Sequence, residues 1–249
     1  MADTEMLNRI ARRQRGLITR LQALACGLTA GQITSRLRNG TWILVRPDVY
    51  AVAAAPQSWE QSLLAVTLAA PCAASHRSAG HLWPLRGFDQ PRQLEVASSH
   101  SQFVRLDGVR GHRSRALFDA DLTRRRGIAT VTAERALIDL SGSLTTKQMG
   151  VILDDAIRRR IAGLETFRRC AGRLAPGPGR SMRRVHDVLV LRVPGYNPGD
   201  SDLETRALRL LVAAGFPPPR QQFRIRLRTK LARIDLAYPE QKIAIELDS

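Results

Sequence analysis

Residues 16–52 read GLITRLQALACGLTAGQITSRLRNGTWILVRPDVYAV, and this stretch decides the reading of the N-terminal part. Thr19 can cap a short helix from Arg20 to Ala25, and Cys26-Gly27-Leu28 then makes a turn. Thr29 caps the next helix, Ala30 to Arg38, whose apolar face is Ile33 and Leu37 and which ends at Asn39-Gly40. Trp42 to Val45 and Val49 to Val52 read as a hairpin around Arg46-Pro47-Asp48. Upstream, Met6, Leu7, Ile10 and Ala11 fall at helical spacing between Glu5 and Arg15, and Gly16 stops that helix. Helix, helix, glycine turn, helix, hairpin is the order of a winged helix-turn-helix. With Ile33 and Leu37 inside, Gln32, Ser35, Arg36 and Arg38 face outward. The helix N-terminus can then enter a major groove, with Thr29, Gln32, Ser35 and Arg36 near bases or phosphates. Arg46 at the hairpin tip would reach a backbone phosphate or the minor groove. Trp42 and Tyr50 read as the packed base of the wing. The same subdomain could equally serve protein contacts.

The rest of the composition agrees with a polyanion partner. The 249 residues carry 39 Lys plus Arg against 22 Asp plus Glu, a formal charge of +17. Only Lys147, Lys230 and Lys242 are lysines, and the planar fork of arginine suits phosphate oxygens. A coding bias toward arginine would explain the choice of cation but less well the excess over acids. No run of about 18 apolar residues exists, and the N-terminus has no apolar stretch behind a basic start. The expectation is a cytoplasmic protein with no membrane partner. Cys26, Cys72 and Cys170 are isolated, with no CxxC pair, so they read as buried free thiols.

Downstream, a helix is expected from Gln57 to Leu68. His76 and His81 stand five apart, not the three or four of a helical metal pair, and no carboxylate lies close in sequence. A structural or DNA-proximal role is expected for them. Strands are expected over Gln93 to Ala97, near Phe103 and over Val109 to His112, and Gly127 to Thr132 leads into the next helix. Thr132 would cap a helix from Ala133 to Leu140, and Lys147 to Arg160 reads as another. Arg158, Arg159, Arg160, Arg168, Arg169, Arg173, Arg180, Arg183 and Arg184 make a one-signed surface, either a solvated face or a phosphate track. VPGYNPGDSD at 193–202 is a linker signal. The expected division is therefore 1–55, 56–192 and 200–249.

In the last segment an amphipathic helix runs from Ser201 through Leu208, Leu211 and Val212 to Gly215. Strands follow around Ile225 and Leu227, Ile234 to Pro239, and Ile243 to Asp248. On the last strand Glu246 and Asp248 share one face, while Ile243, Ile245 and Leu247 share the other. Asp235 lies on the strand before. Two or three acids on neighbouring strands make a seat for Mg²⁺, with Asp235 and Glu246 as ligands, and such an ion would activate water beside a scissile phosphate. Exposed acids that only solubilise a strand are the alternative.

Four blocks, RRQRGLITRLQALACGLTAGQITSRLRNGTWILVRPDVYAV, SHRSAGHLWPL, GIATVTAERALIDL and LDDAIRRR, resemble the AbiEi family of type IV antitoxins over roughly residues 5–170. That resemblance implies a DNA-binding autorepressor that counters a toxin protein. The last segment resembles a domain of unknown function related to very-short-patch repair endonucleases, with the restriction-endonuclease-like fold. The residues it carries over are Glu204 on the helix, Gln222 before the first strand, Asp235 on the middle strand, and Glu246 with Asp248 on the last. Glu204 would be a third ligand or stand behind the metal. Asp248 stands where the superfamily has a lysine, and the chain stops directly after the motif. A C-terminally truncated domain with little or no nuclease activity is therefore expected. The fold class is α/β, α+β overall: winged helix, mixed middle domain and partial endonuclease-like domain. Three functions stay open: a DNA-binding regulator of a toxin–antitoxin or phage-defence system, a Mg²⁺-dependent DNA endonuclease targeted by the winged helix, and a protein-binding antitoxin.

Overall fold

A computed structural model describes residues 3–99, 101, 104–192, 196, 198, 202–226 and 231–247. The chain is α/β, with helices and mixed sheets. It divides into two compact units, Met1–Pro84 with Phe88–Thr132, and Leu85–Gly87 with Ala133–Ser249. The boundaries expected near 55 and 200 fall inside the first and the second unit respectively.

The first unit opens with α1 (Thr4–Arg13), β1 (Leu17–Thr19), α2 (Arg20–Ala25), α3 (Ala30–Arg38), β2 (Trp42–Arg46) and β3 (Val49–Val52). The strands pair in the order β1-β3-β2, both pairings antiparallel. The helices and hairpin fall where residues 16–52 place them, but β1, which the sequence does not suggest, adds a third strand to the hairpin. Both threonine caps form with reciprocal bonds: Thr19 with Gln22 at α2, and Thr29 with Gln32 at α3. Gly16 turns the chain at φ 83°, and a Cβ there would collide with Ala55. Leu7, Ala11, Ile18, Ala23, Ile33, Trp42 and Tyr50 bury together into one small core. Trp42 and Tyr50 stack with ring centroids 5.5 Å apart, so the packed-base reading holds.

The unit continues through α4 (Trp59–Ala69), β4 (Ala73–Ala74), α5 (His76–Leu82), β5 (Leu94–Ser99), β6 (Val109–Ser114), β7 (Leu122–Arg125) and β8 (Ile128–Val131). The five strands lie in the order β6-β5-β4-β8-β7. β5 runs parallel to β6 and β4 parallel to β8; the other two pairings are antiparallel. α4 is apolar on most of its surface because it packs on both sheets, against β1, β2 and β3 on one side and against β4 and β8 on the other. Leu63, Leu64, Ala65 and Val66 thus join Leu17, Val49 and Ala51 to Ala74, Val96 and Ile128 in a second core. The strand expected near Phe103 lies outside the described residues.

The second unit holds α6 (Ala133–Asp139), α7 (Thr146–Arg158), α8 (Leu164–Gly172), α9 (Met182–Val190) and α10 (Asp202–Ala213), then β9 (Arg220–Arg226), β10 (Leu231–Tyr238) and β11 (Ile243–Ile245). α7 packs on α9 and α6 on α8. The three strands form an antiparallel sheet with β10 in the middle. Two buried ion networks lie among the helices. Asp139 accepts from Arg135 at 2.9 Å and from Arg180 at 2.5 Å, and Asp154 accepts from Arg192 at 2.6 Å. Part of the expected arginine surface is turned inward: Arg180 bonds Asp139, and Arg184 bonds the Ser141 and Gly142 carbonyls. Arg135 and Arg192, which do not belong to that expected surface, are 1% exposed.

Candidate functional site

The residues expected to meet DNA lie on α3 and the hairpin of the first unit. Ile33 is buried, which leaves Thr29, Gln32, Ser35 and Arg38 exposed. Gln32 is not wholly available for readout. Its Oε1 accepts from the Thr29 amide at 2.8 Å, which engages one of its two acceptor lone pairs. Arg36 is half-buried rather than outward: its guanidinium lies 5.4 Å from the Trp42 ring centroid, and its Nε is buried without a hydrogen-bond partner. The indole draws the cation down by its negative face, which sequence spacing could not register. Arg46 lies at the hairpin turn, where the sequence places it. It ends β2 beside the Pro47-Asp48 turn, half-buried, and lines a cleft with Leu17, Ile43, Val45, Ala51 and Gln61. Residues 3–55 carry eight arginines against three acids, so the segment is basic as a whole.

A second constellation in the same unit involves His76. No carboxylate is expected near it from the sequence, yet the fold brings Glu95 and His112 to its side. The Ser75 amide donates to the Glu95 carbonyl at 3.0 Å, and the Glu95 amide donates to Ser78 Oγ at 2.8 Å. These bonds pin the start of α5 to β5. The parallel register sets Ala97 of β5 opposite His112 of β6, which puts His112 one step diagonally from Glu95 on the same face. The result is a carboxylate Oε2 2.7 Å from His112 Nε2, with the His76 and His112 rings stacked at 3.6 Å between centroids. His76 Nδ1 stands 3.0 Å from Ser75 Oγ. Burial by itself would raise the Glu95 carboxyl; the His112 hydrogen bond and the nearby charges of His76, His112 and Arg110 outweigh it and hold the group below its ordinary value. His81 is elsewhere: its Nδ1 is 3.2 Å from the Phe88 carbonyl, and its ring meets Trp59 edge-on.

The endonuclease-like residues lie in the second unit and are only partly gathered. Glu204 on α10 is buried and accepts from Gln222 Nε2 at 2.7 Å. Asp235 on β10 accepts from the Leu247 amide at 3.1 Å. The pairing of Leu236 with Ile245, extended by one step, sets Glu246 opposite Asp235. Among the described residues, however, three ligand atoms converge at His76, Glu95 and His112 and not at Glu204, Asp235 and Glu246. The expected third carboxylate is engaged by Gln222 instead. Asp248 lies outside the described residues.

The chain is an α/β protein with a basic N-terminal segment of short helices and a three-stranded sheet, and no helix among the described residues is long and apolar enough to cross a membrane. No protein-family profile matches the chain, and no curated protein matches it. Among solved structures, the crystal structure of the RV2827C protein from Mycobacterium tuberculosis is similar over 78% of this chain and 82% of that chain, at 16% identity and a TM-score of 0.44.

Proposed function

We propose that this chain binds double-stranded DNA through α3 and works as a regulator, with a toxin protein as its second partner. One observation carries the reading. α3 is capped by Thr29, anchored by Ile33, and presents Ser35 and Arg38 to solvent in a segment rich in arginine. A helix held this way offers its N-terminal turn to a groove, while the surrounding cations supply the salt-dependent part of the affinity. Because Arg36 rests on Trp42, Arg38 is the freer phosphate ligand, and Arg36 must leave the indole to reach a base.

The test is a gel shift with DNA from the protein's own promoter, at two salt concentrations, with an unrelated duplex as competitor and Mg²⁺ in half the lanes. Retention of the promoter complex at the higher salt, with the DNA uncut, supports the regulator. Equal shifts on both duplexes, lost with salt, overturn sequence-specific binding. Cleavage confined to the Mg²⁺ lanes would replace the regulator by the endonuclease. Arg36→Ala is expected to weaken specific binding by about 1–3 kcal/mol, and Arg38→Ala to reduce the salt slope by about 1.

A further inference from the structure

We propose that His76, Glu95 and His112 form a binding site for one first-row divalent transition ion, zinc being the expected occupant, with water completing its shell. The donor set is two imidazoles and one carboxylate, which suits zinc better than magnesium or calcium. The three ligand atoms already lie within 4.8 Å of one another. Two donors of a tetrahedral zinc stand about 3.4 Å apart, given bonds of about 2.0–2.2 Å. The 2.7 Å between Glu95 Oε2 and His112 Nε2 is a hydrogen-bond distance, shorter than that spacing, so the two side chains must turn apart to admit the ion.

Three further features fit a ligand role. The stack sets the His76 and His112 rings face to face at 3.6 Å, so both imidazoles stand beside the one carboxylate. A tautomer of His76 that donates from Nδ1 to Ser75 Oγ leaves a lone pair on Nε2, the outer-shell bond common in metal-ligating histidines. His76 also holds φ 47°, a left-handed conformation unusual for a side chain of this size, at the first residue of α5. Access is open on one side, since the His112 side chain is 24% exposed and that of Glu95 10%. On binding, the proton shared by His112 Nε2 and Glu95 Oε2 leaves to solvent, and metal–nitrogen and metal–oxygen bonds replace that hydrogen bond. With three protein ligands the ion keeps an open position, as catalytic zinc does and structural zinc does not. The site stands apart from α3, and neither it nor the DNA reading depends on the other.

The experiment uses the purified full chain, stripped with a chelator and titrated with zinc chloride by calorimetry, with cobalt(II) absorption as a second probe. One ion per chain is expected, with a dissociation constant on the order of 10⁻⁶ M or tighter. Cobalt should give the intense visible bands of a four- or five-coordinate site. His112→Ala and Glu95→Gln should each weaken zinc at least about 10-fold, while His81→Ala leaves it unchanged. Circular dichroism of the metal-free variants checks that they fold, and Glu95→Gln, which keeps the side-chain shape, carries the test if His112→Ala does not. Absence of a saturable zinc site, or zinc binding that both variants leave unchanged, overturns the proposal.

Discussion

Asp154→Ala should destabilise the second unit severely, because it strands a charge. Arg192 is 1% exposed, and Asp154 receives its Nε at 2.8 Å and its Nη2 at 2.6 Å. Tyr196 donates to the same carboxylate at 3.2 Å, and Arg209 lies 3.7 Å away. Without Asp154, Arg192 keeps the Val188 and Gly150 carbonyls but no counter-charge. Removing one partner of such a buried pair costs about 3–5 kcal/mol, far more than the pair is worth against an apolar replacement. The assay must choose its probe. Trp42, Trp59 and Trp83 are all the tryptophans of the chain, and all lie in the first unit. Tryptophan fluorescence therefore follows that unit, while far-ultraviolet circular dichroism also follows α7, α9 and α10. With a urea dependence of about 1–3 kcal/mol/M, the dichroism midpoint should fall by on the order of 1–5 M. Replacing both partners by leucine should cost clearly less than the sum of the two single replacements. A single-variant loss below about 0.5 kcal/mol, or additive costs in the double variant, would refute the stranded-charge argument.

Two more perturbations test the first unit. Burial would raise the Glu60 carboxyl, but the hydrogen bond from Arg126 and then the charge of Arg15 outweigh it and hold the group below 4.5. Its contribution to stability is therefore present above pH 4.5 and lost as pH falls through the lower folded value, so Glu60→Gln should flatten the acid limb of the fluorescence-monitored urea midpoint; an unchanged limb contradicts this. Burial pushes the Cys72 thiol up to about 12, so native protein at neutral pH should resist maleimide until denatured, and prompt labelling of Cys72 would show that its thiolate is accessible.

The N-terminal segment is legible in the sequence because its signals are local. Thr29 and Gln32 stand three apart and close a capping box, so α3 runs over the expected residues, Ala30 to Arg38. The first helix, expected to reach Arg15, ends at Arg13, where the chain turns with Arg15 and Gly16 both at positive φ. What sequence spacing misses is non-local. Glu95 and His112 are 17 residues apart and meet only because β5 and β6 pair in parallel. One signal is available: Glu95 is a lone acid in the otherwise buried strand Leu94–Ser99, and such an acid needs a cation or donor. Glu204 and Gln222 do meet, and their hydrogen bond ties α10 to β9, where Gln222 lies within the strand rather than before it.

The helix α4 has a consequence for anyone dissecting the molecule. Leu63 to Val66 cover Leu17, Val49 and Ala51, so a polypeptide ended at residue 55 would open those side chains to water. The recombinant fragment that preserves the α3 surface must include α4. Placing a protease site or a fluorescent fusion at residue 55 would then report on α4 release rather than on a natural joint between domains.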